Sequence, residues 1–210
     1  MQDQQIKKSF ENKNDKMLEQ ILVIPKKAIK HLLPNQGIRQ TDTSSLKKLI
    51  EANAIFMSRG KAETDPIFKQ IIPYLVFVYE KQLFLMQRSN KASESRLASK
   101  LSLGIGGHLQ EKDMQETNLF DWAEREFMEE VEFTGNIEPQ FIGIINDESN
   151  AVGQVHAGLF WLVKASSPNI KVKEELKSGK LVSLEYCKEQ YKHLESWSQM
   201  IIDHLITIKF

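Results

Sequence analysis

Glu126, Glu129 and Glu130 stand at i, i+3 and i+4, so on a helix their three carboxylates share one face. Like charges at these spacings repel, at roughly 0.2–0.5 kcal/mol per pair on an exposed helix. Glu129, Glu130 and Glu132 also crowd the negative end of the helix dipole, where lysine or arginine would help. Local rules broken together usually mark a functional site. A divalent cation relieves the repulsion, and hard carboxylate oxygens suit magnesium or manganese. A solvated acidic face is the commoner use of a charge run, but it leaves unexplained why these acids hug an apolar stripe and follow a glycine-rich segment.

The element that carries them should be a helix over 118–132. Asn118 or Thr117 is the expected cap, and Asp121 and Glu124 suit the positive end of the dipole. Phe120, Ala123, Phe127 and Val131 form one apolar stripe that must face a core. Upstream, Gly104, Gly106 and Gly107 let backbone approach a ligand closely, and successive N–H groups there can cradle an anion. A GxGG alone more often marks a bulge or tight turn. Beside an acidic face it gains weight, because a negative substrate on a negative protein needs cations between them, and metal-bridged phosphates satisfy both.

The run Arg125-Glu126-Phe127-Met128-Glu129-Glu130-Val131-Glu132-Phe133 resembles the core of the Nudix box. The family pattern is Gly, five residues, Glu, seven residues, then Arg-Glu-(apolar)-x-Glu-Glu-x-Gly-(apolar). Gly107 matches the opening glycine, and the Arg-Glu and Glu-Glu pairs are intact. The stretch from Gly107 to Arg125 is four residues longer than the pattern, which puts Glu116 eight rather than seven residues before Arg125. Glu132 replaces the closing glycine, and Gly135 is the residue expected to supply that turn. Gly104 to His108, Ile144 to Asn150, Gly153 to His156 and Leu194-Glu-Ser-Trp-Ser198 extend the likeness to a bacterial Nudix branch labelled phosphoesterase, from Ile21 to the C-terminus.

The resemblance implies an α/β fold, the Nudix α/β/α sandwich with a mixed central sheet and extra terminal helices. It also implies magnesium-dependent hydrolysis, with manganese an alternative, of a nucleoside diphosphate linked to another group. Glu126, Glu129 and Glu130 would be the metal ligands and Arg125 would orient a carboxylate. Many family members bring a further acid from outside the box. Asp147 or Glu148 in the 146–153 loop can supply it, and Glu148 is the expected catalytic choice. Gly106, Gly107 and His108 are candidates for substrate contact, although a half-exposed loop histidine making one hydrogen bond is the blander account of His108. Arg59, Arg88, Arg96 and Lys100 can meet phosphates; Arg96 and Lys100, in the approach to the glycines, are preferred. His156 reads as a satisfied core histidine, and Trp197 as packing on the sheet or a partner subunit. An isomerase of the isopentenyl-diphosphate type shares the fold but carries Cys-Ser-His where this chain has Gly106-Gly107-His108. A catalytically silent ligand-binding protein is the third reading, against which the intact acids argue.

The chain has 210 residues, long enough for one substantial core. Its 28 basic and 28 acidic residues balance, so no global field favours nucleic acid or an anionic membrane. The partner expected is a small diphosphate-containing molecule, and a homodimer is compatible with the composition. The lone Cys187 excludes an intramolecular disulfide framework and reads as packing. No apolar run approaches the roughly 20 residues of a membrane span, and the N-terminus is too polar for a signal peptide; a soluble cytoplasmic protein is expected. Residues 1–18 read as a polar tail and 19–210 as a single domain with the box at 107–133. Strands are expected over 20–24, 56–58, 71–79, 82–88, 101–105, 137–145, 154–163 and 180–184, with 71–88 a hairpin apolar enough to be covered on both faces. Helices are expected over 26–33, after Ser44 or Ser45, and over 185–194 and 196–208. Turns or loops are expected at 34–37, 59–66 and 89–100.

Overall fold

The computed structural model describes residues 15–88, 100–115, 118–173 and 176–210. Most of the expected tail, Arg96, Glu116 and Thr117 lie outside them. Twelve strands are described: β1 Gln20–Pro25, β2 Gln36–Arg39, β3 Ile55–Ser58, β4 Phe68–Tyr79, β5 Gln82–Arg88, β6 Leu101–Ser102, β7 Gly104–Ile105, β8 Val131–Phe133, β9 Ile137–Asp147, β10 His156–Ala165, β11 Ile170–Val172 and β12 Leu176–Ser183. The helices are α1 Lys26–Ile29, α2 Thr43–Asn53, α3 Arg59–Ala62, α4 Asp121–Glu130, α5 Ala151–Val155, α6 Leu184–Glu189 and α7 Ser196–Thr207.

The main sheet runs β12-β5-β4-β10-β9-β2, with β1, β3, β6 and β7 attached to it. β4 and β10 are parallel while the other pairs are antiparallel, so the sheet is mixed. Its central strands read as nearly continuous apolar runs because both faces are covered. Leu75, Phe77 and Leu159 pack with Trp122 and Phe127 of α4 on one face. Tyr74, Val76 and Phe160 pack with Ile201, Ile202 and Leu205 of α7 on the other. The result is the expected α/β/α sandwich. No helix among the described residues is long and apolar enough to cross a membrane.

The β4–β5 hairpin opens soon after its turn, and this opening places the glycines. β4 pairs with β5 only at Val78–Leu83 and Tyr79–Gln82. Beyond that point β5 pairs with β6 at Met86 and Gln87, while β7 pairs with β4 at Leu75 and Val76. The single strand expected over 101–105 is therefore two short ones, which enter the gap and end at Gly106.

Several expected elements differ. Asp42, not Ser44 or Ser45, caps α2, its carboxylate accepting from the Ser45 N–H. The second half of the expected 34–37 turn is the start of an edge strand, with Gln36 to Arg39 paired to β9 and Gly37 at φ +113°. The 59–66 loop begins with α3, where Arg59 is buried against Glu63. β8 and β11, which form a separate two-stranded sheet, were not expected at all.

Candidate functional site

α4 is shorter than the helix expected over 118–132. Its N-cap is Phe120, with no side-chain cap; Asn118 instead donates from Nδ2 to Asp121 at 2.9 Å. At the other end Val131 is already extended at φ −134°, ψ 155°. The helix thus passes straight into β8 without a left-handed turn, so Glu132 occupies a strand position where no glycine is needed. Gly135 lies beyond β8 and does not end the helix. The uncompensated negative end has a distant remedy in Lys173, whose backbone N–H donates to Glu130 O at 2.9 Å and whose Nζ donates to Met128 O.

The stretch between Gly107 and Arg125, four residues longer than the pattern, contains a further short element. Glu111–Gln115 form a 3₁₀ turn that supplies Asp113, a buried carboxylate absent from the sequence reading. Asp113 receives Nε and Nη2 of Arg125 at 2.7 Å each, and Oδ2 accepts from the Gln110 N–H at 2.7 Å. The fork fixes the guanidinium plane. Its remaining nitrogen, Nη1, meets Glu126 Oε1 at 2.7 Å and Glu129 Oε2 at 2.9 Å, while Nη2 also donates to His108 O at 3.0 Å. One arginine therefore ties the 3₁₀ turn, the glycine loop and two box carboxylates together.

The stripe behaves as the 3.6-residue period requires. Ala123, Phe127 and Val131 are buried, as is Trp122, and Glu126 stands at the edge of this core at 9% exposure. Burial pushes its carboxyl up to about 7 against the pull of Arg125, and repulsion from Glu129 and Glu130 adds to the rise. Glu129 is exposed and Glu130 half-buried on the same face.

Gly104 and Gly106 are needed for close approach, and Gly107 lies against the end of a glutamate side chain. A methyl group on Gly104 would enter the Tyr74 ring, one on Gly106 would strike Pro73 O, and one on Gly107 would overlap the Glu126 carboxylate. Gly107 and Glu126 are thus brought together. His108 follows, half-buried, with Nε2 2.8 Å from Gln70 Oε1 and its ring centroid 5.8 Å from that of His156. Gln70 is fully buried, and its Nε2 has no hydrogen-bond partner among the described residues. His156 is buried, with Nδ1 2.7 Å from Val152 O.

Glu148 lies in a different setting. Its carboxylate meets Lys26 Nζ at 2.6 Å and the buried Lys69 Nζ at 2.8 Å, and accepts from Asn146 Nδ2 at 3.1 Å. Partial burial opposes ionisation, but these partners outweigh it and hold the group at about 2. Such a carboxylate is a poor proton acceptor at neutral pH. Asp147 is wholly buried and occupied by Ser149 and Asn150. Lys100 is exposed, one residue before β6.

Among the described residues no three His, Cys, Asp or Glu side chains form a ready-made cation cage. Glu126 and Glu129 turn toward Arg125, with which a cation would compete. The donor set nevertheless fits a hard divalent ion: carboxylates on one helix face, one of them desolvated, with glycine backbone pressed against it.

No family model matches the sequence. Protein YmaB of Bacillus subtilis (strain 168) is 35% identical over 208 residues, covering 90% of this chain and 98% of YmaB. The crystal structure of Tm1382, assigned as a Nudix hydrolase, superposes with a TM-score of 0.76 at 27% identity, over 90% of this chain and 100% of the other. The NUDIX domain of Shewanella oneidensis NrtR, crystallised with ADP ribose, shares the fold at a TM-score of 0.53 and 14% identity, over 68% of this chain and 89% of that one.

Proposed function

Because the chain belongs to the Nudix superfamily of hydrolases, we propose that residues 19–210 act as one domain that hydrolyses a small nucleoside-diphosphate-type substrate with a divalent cation. The observation that carries this reading is the contact of Gly107 with the buried carboxylate of Glu126, which Arg125 holds beside Glu129. Glu126, Glu129 and Glu130 would hold magnesium or manganese. Such an ion, when bound, neutralises charge on the phosphates and activates the attacking water.

The chain's own groups do the positioning. Asp113 orients Arg125, and Arg125 in turn orients the two glutamates and the carbonyl of His108. Gly106 and Gly107 let the phosphate chain lie against backbone, and His108, next in the loop and braced by Gln70, is the proposed substrate contact beside them. Arg96 and Lys100 remain proposed phosphate contacts. Glu148 serves as an ionised anchor that holds Lys26, Lys69 and the 146–153 turn together.

The test is phosphate release, with and without magnesium or manganese, over nucleotide sugars, dinucleotides, NADH, ADP-ribose and nucleoside triphosphates. A cation-dependent release from at least one of these is expected and should vanish in Glu129→Gln. Release that needs no cation, or that survives this substitution, would refute the assignment of the box carboxylates.

A further inference from the structure

We propose that Tyr74, Ser102, Glu195 and Ser198 are positioning residues that lock the glycine loop against Glu126 from the opposite face of the sheet. The inference rests on the reading of Glu126 as a cation ligand. All four side chains are buried, at 3%, 1%, 5% and 0% exposure. The Tyr74 hydroxyl lies 2.8 Å from Ser198 Oγ and 3.3 Å from Ser102 Oγ, and donates to Glu195 Oε1. Ser102 Oγ also donates to Glu195 Oε1 at 2.6 Å.

The network continues into the backbone of the strand that carries the glycines. The Glu195 N–H donates to Leu101 O at 3.0 Å, the Leu103 N–H to Ser198 Oγ at 2.9 Å, and the Gly104 N–H to Ser102 Oγ at 3.2 Å. From Leu101 to Gly104 the strand is thus fastened to the start of α7, directly or through Ser102. Ile105 then pairs with Leu75, Gly106 lies on Pro73, Gly107 on Glu126, and His108 O accepts from Arg125. Trp197 meets the Tyr74 ring edge-on at 5.3 Å, fixing the aromatic surface that Gly104 covers.

Physical chemistry gives a reason to read this network as more than packing. A carboxylate and three hydroxyls in an apolar layer cost more to bury than hydrocarbon of the same shape. Their return is a single arrangement, since a network whose members satisfy one another tolerates no slip. The part it holds in register is the short run ending at Gly107, where a small displacement would move backbone across the Glu126 carboxylate. The Leu194-Glu-Ser-Trp-Ser198 motif thereby acquires a role: it supplies Glu195, Trp197 and Ser198 to this clamp.

Tyr74→Phe and Ser198→Ala each remove one hydroxyl. Tyr191→Phe is the control, because it deletes a hydroxyl bonded at 2.8 Å to Asp203 on the same helix without touching the loop. Manganese affinity of the metal-stripped, substrate-free full chain, titrated by electron paramagnetic resonance, is the first readout. Hydrogen exchange across 101–108 is the second. Both clamp variants should lose about ten-fold in manganese affinity, as supporting partners of metal ligands typically do, and should exchange faster across 101–108; the control should do neither. Ser198→Ala is the smaller deletion should Tyr74→Phe not fold. Clamp variants that fold, melt lower, and still bind manganese like wild type would overturn the proposal, leaving a purely structural network. If wild type and Glu126→Gln bind manganese equally, the cation-site reading itself fails and this proposal falls with it.

Discussion

Glu126 and Glu148 are carboxylates of one sheet-and-helix frame whose surroundings drive them in opposite directions. Glu126 is nearly buried and shares one guanidinium with Asp113 and Glu129, so negative charge exceeds positive around it. Glu148 is more open, with its side chain 31% exposed, and two ammonium groups are committed to it. Burial pushes the first up to about 7, while the lysines hold the second at about 2. A cation site needs negative charge that the protein has left unneutralised; Glu126 has it and Glu148 does not. The side chains are the same, and what they can do is decided by the charges within a few ångströms.

The largest contrast should come from neutralising each in turn. Glu126→Gln is expected to lower turnover by about 10²–10³-fold, the range for losing one preorganised electrostatic partner. It should also abolish the rise in melting temperature on adding magnesium. The metal-free variant should melt no lower than wild type, because a desolvated charge has been removed. A variant that keeps both turnover and the metal shift would erase the difference between the two carboxylates.

The pH dependence of chelator-treated protein sharpens the comparison. Glu126 rises from its ordinary 4.5 to about 7 on folding, so the native state binds its proton more tightly than the unfolded chain. Its contribution therefore grows as pH falls from about 7 to 4.5 and is lost as pH rises again, with an upper bound of about 3 kcal/mol. Glu148 has the opposite sign. Depressed from 4.5 to about 2, it stabilises fully above 4.5 and loses that contribution as pH falls toward 2. Denaturant midpoints across pH 4.5–7.5 should thus show a slope in wild type that Glu126→Gln flattens and Glu148→Gln retains. Equal slopes in all three proteins would remove Glu126 as the titrating group.

The smallest effect on catalysis belongs to Glu148→Gln. Turnover should stay within about ten-fold of wild type, whereas loss of a general base costs about 10²–10⁴-fold. Stability should fall by about 1–3 kcal/mol, because the buried Lys69 loses its counter-charge. Loss of turnover in the larger range, measured on a proven substrate, would restore Glu148 to the chemistry and make the two carboxylates partners.

The box helix was readable because helical period and charge repulsion both act within a few residues. Phe127, Ala123 and the three glutamates fall on the expected faces for that reason. The hairpin was equally clear, since Ile71 to Val78 and Leu83 to Met86 are apolar on both faces. What escaped was whatever depends on distant partners. Nothing local marks Asp113 as the holder of Arg125, because the residue sits among lysine and glutamates in a polar loop. Lys69 is buried among Asn146, Gly153 and Glu148, more than seventy positions away, and its neighbours in the chain carry no sign of that. β8 and β11 are three residues each, and only their mutual pairing makes them strands.

The 3₁₀ turn at Glu111–Gln115 has a consequence for how such a chain can change over generations. The turn lies within the lengthened stretch of the box, and it carries the carboxylate that Arg125 grips with two nitrogens. A trim to the usual spacing that took Asp113 with it would leave a half-buried guanidinium to pull harder on Glu126 and Glu129, the groups proposed to hold a cation. Shortening the loop alone is therefore a step downhill in fitness unless another acid arrives to receive the arginine. Loop length and that acid should therefore change together, and a related chain with the shorter loop should carry a different partner for Arg125.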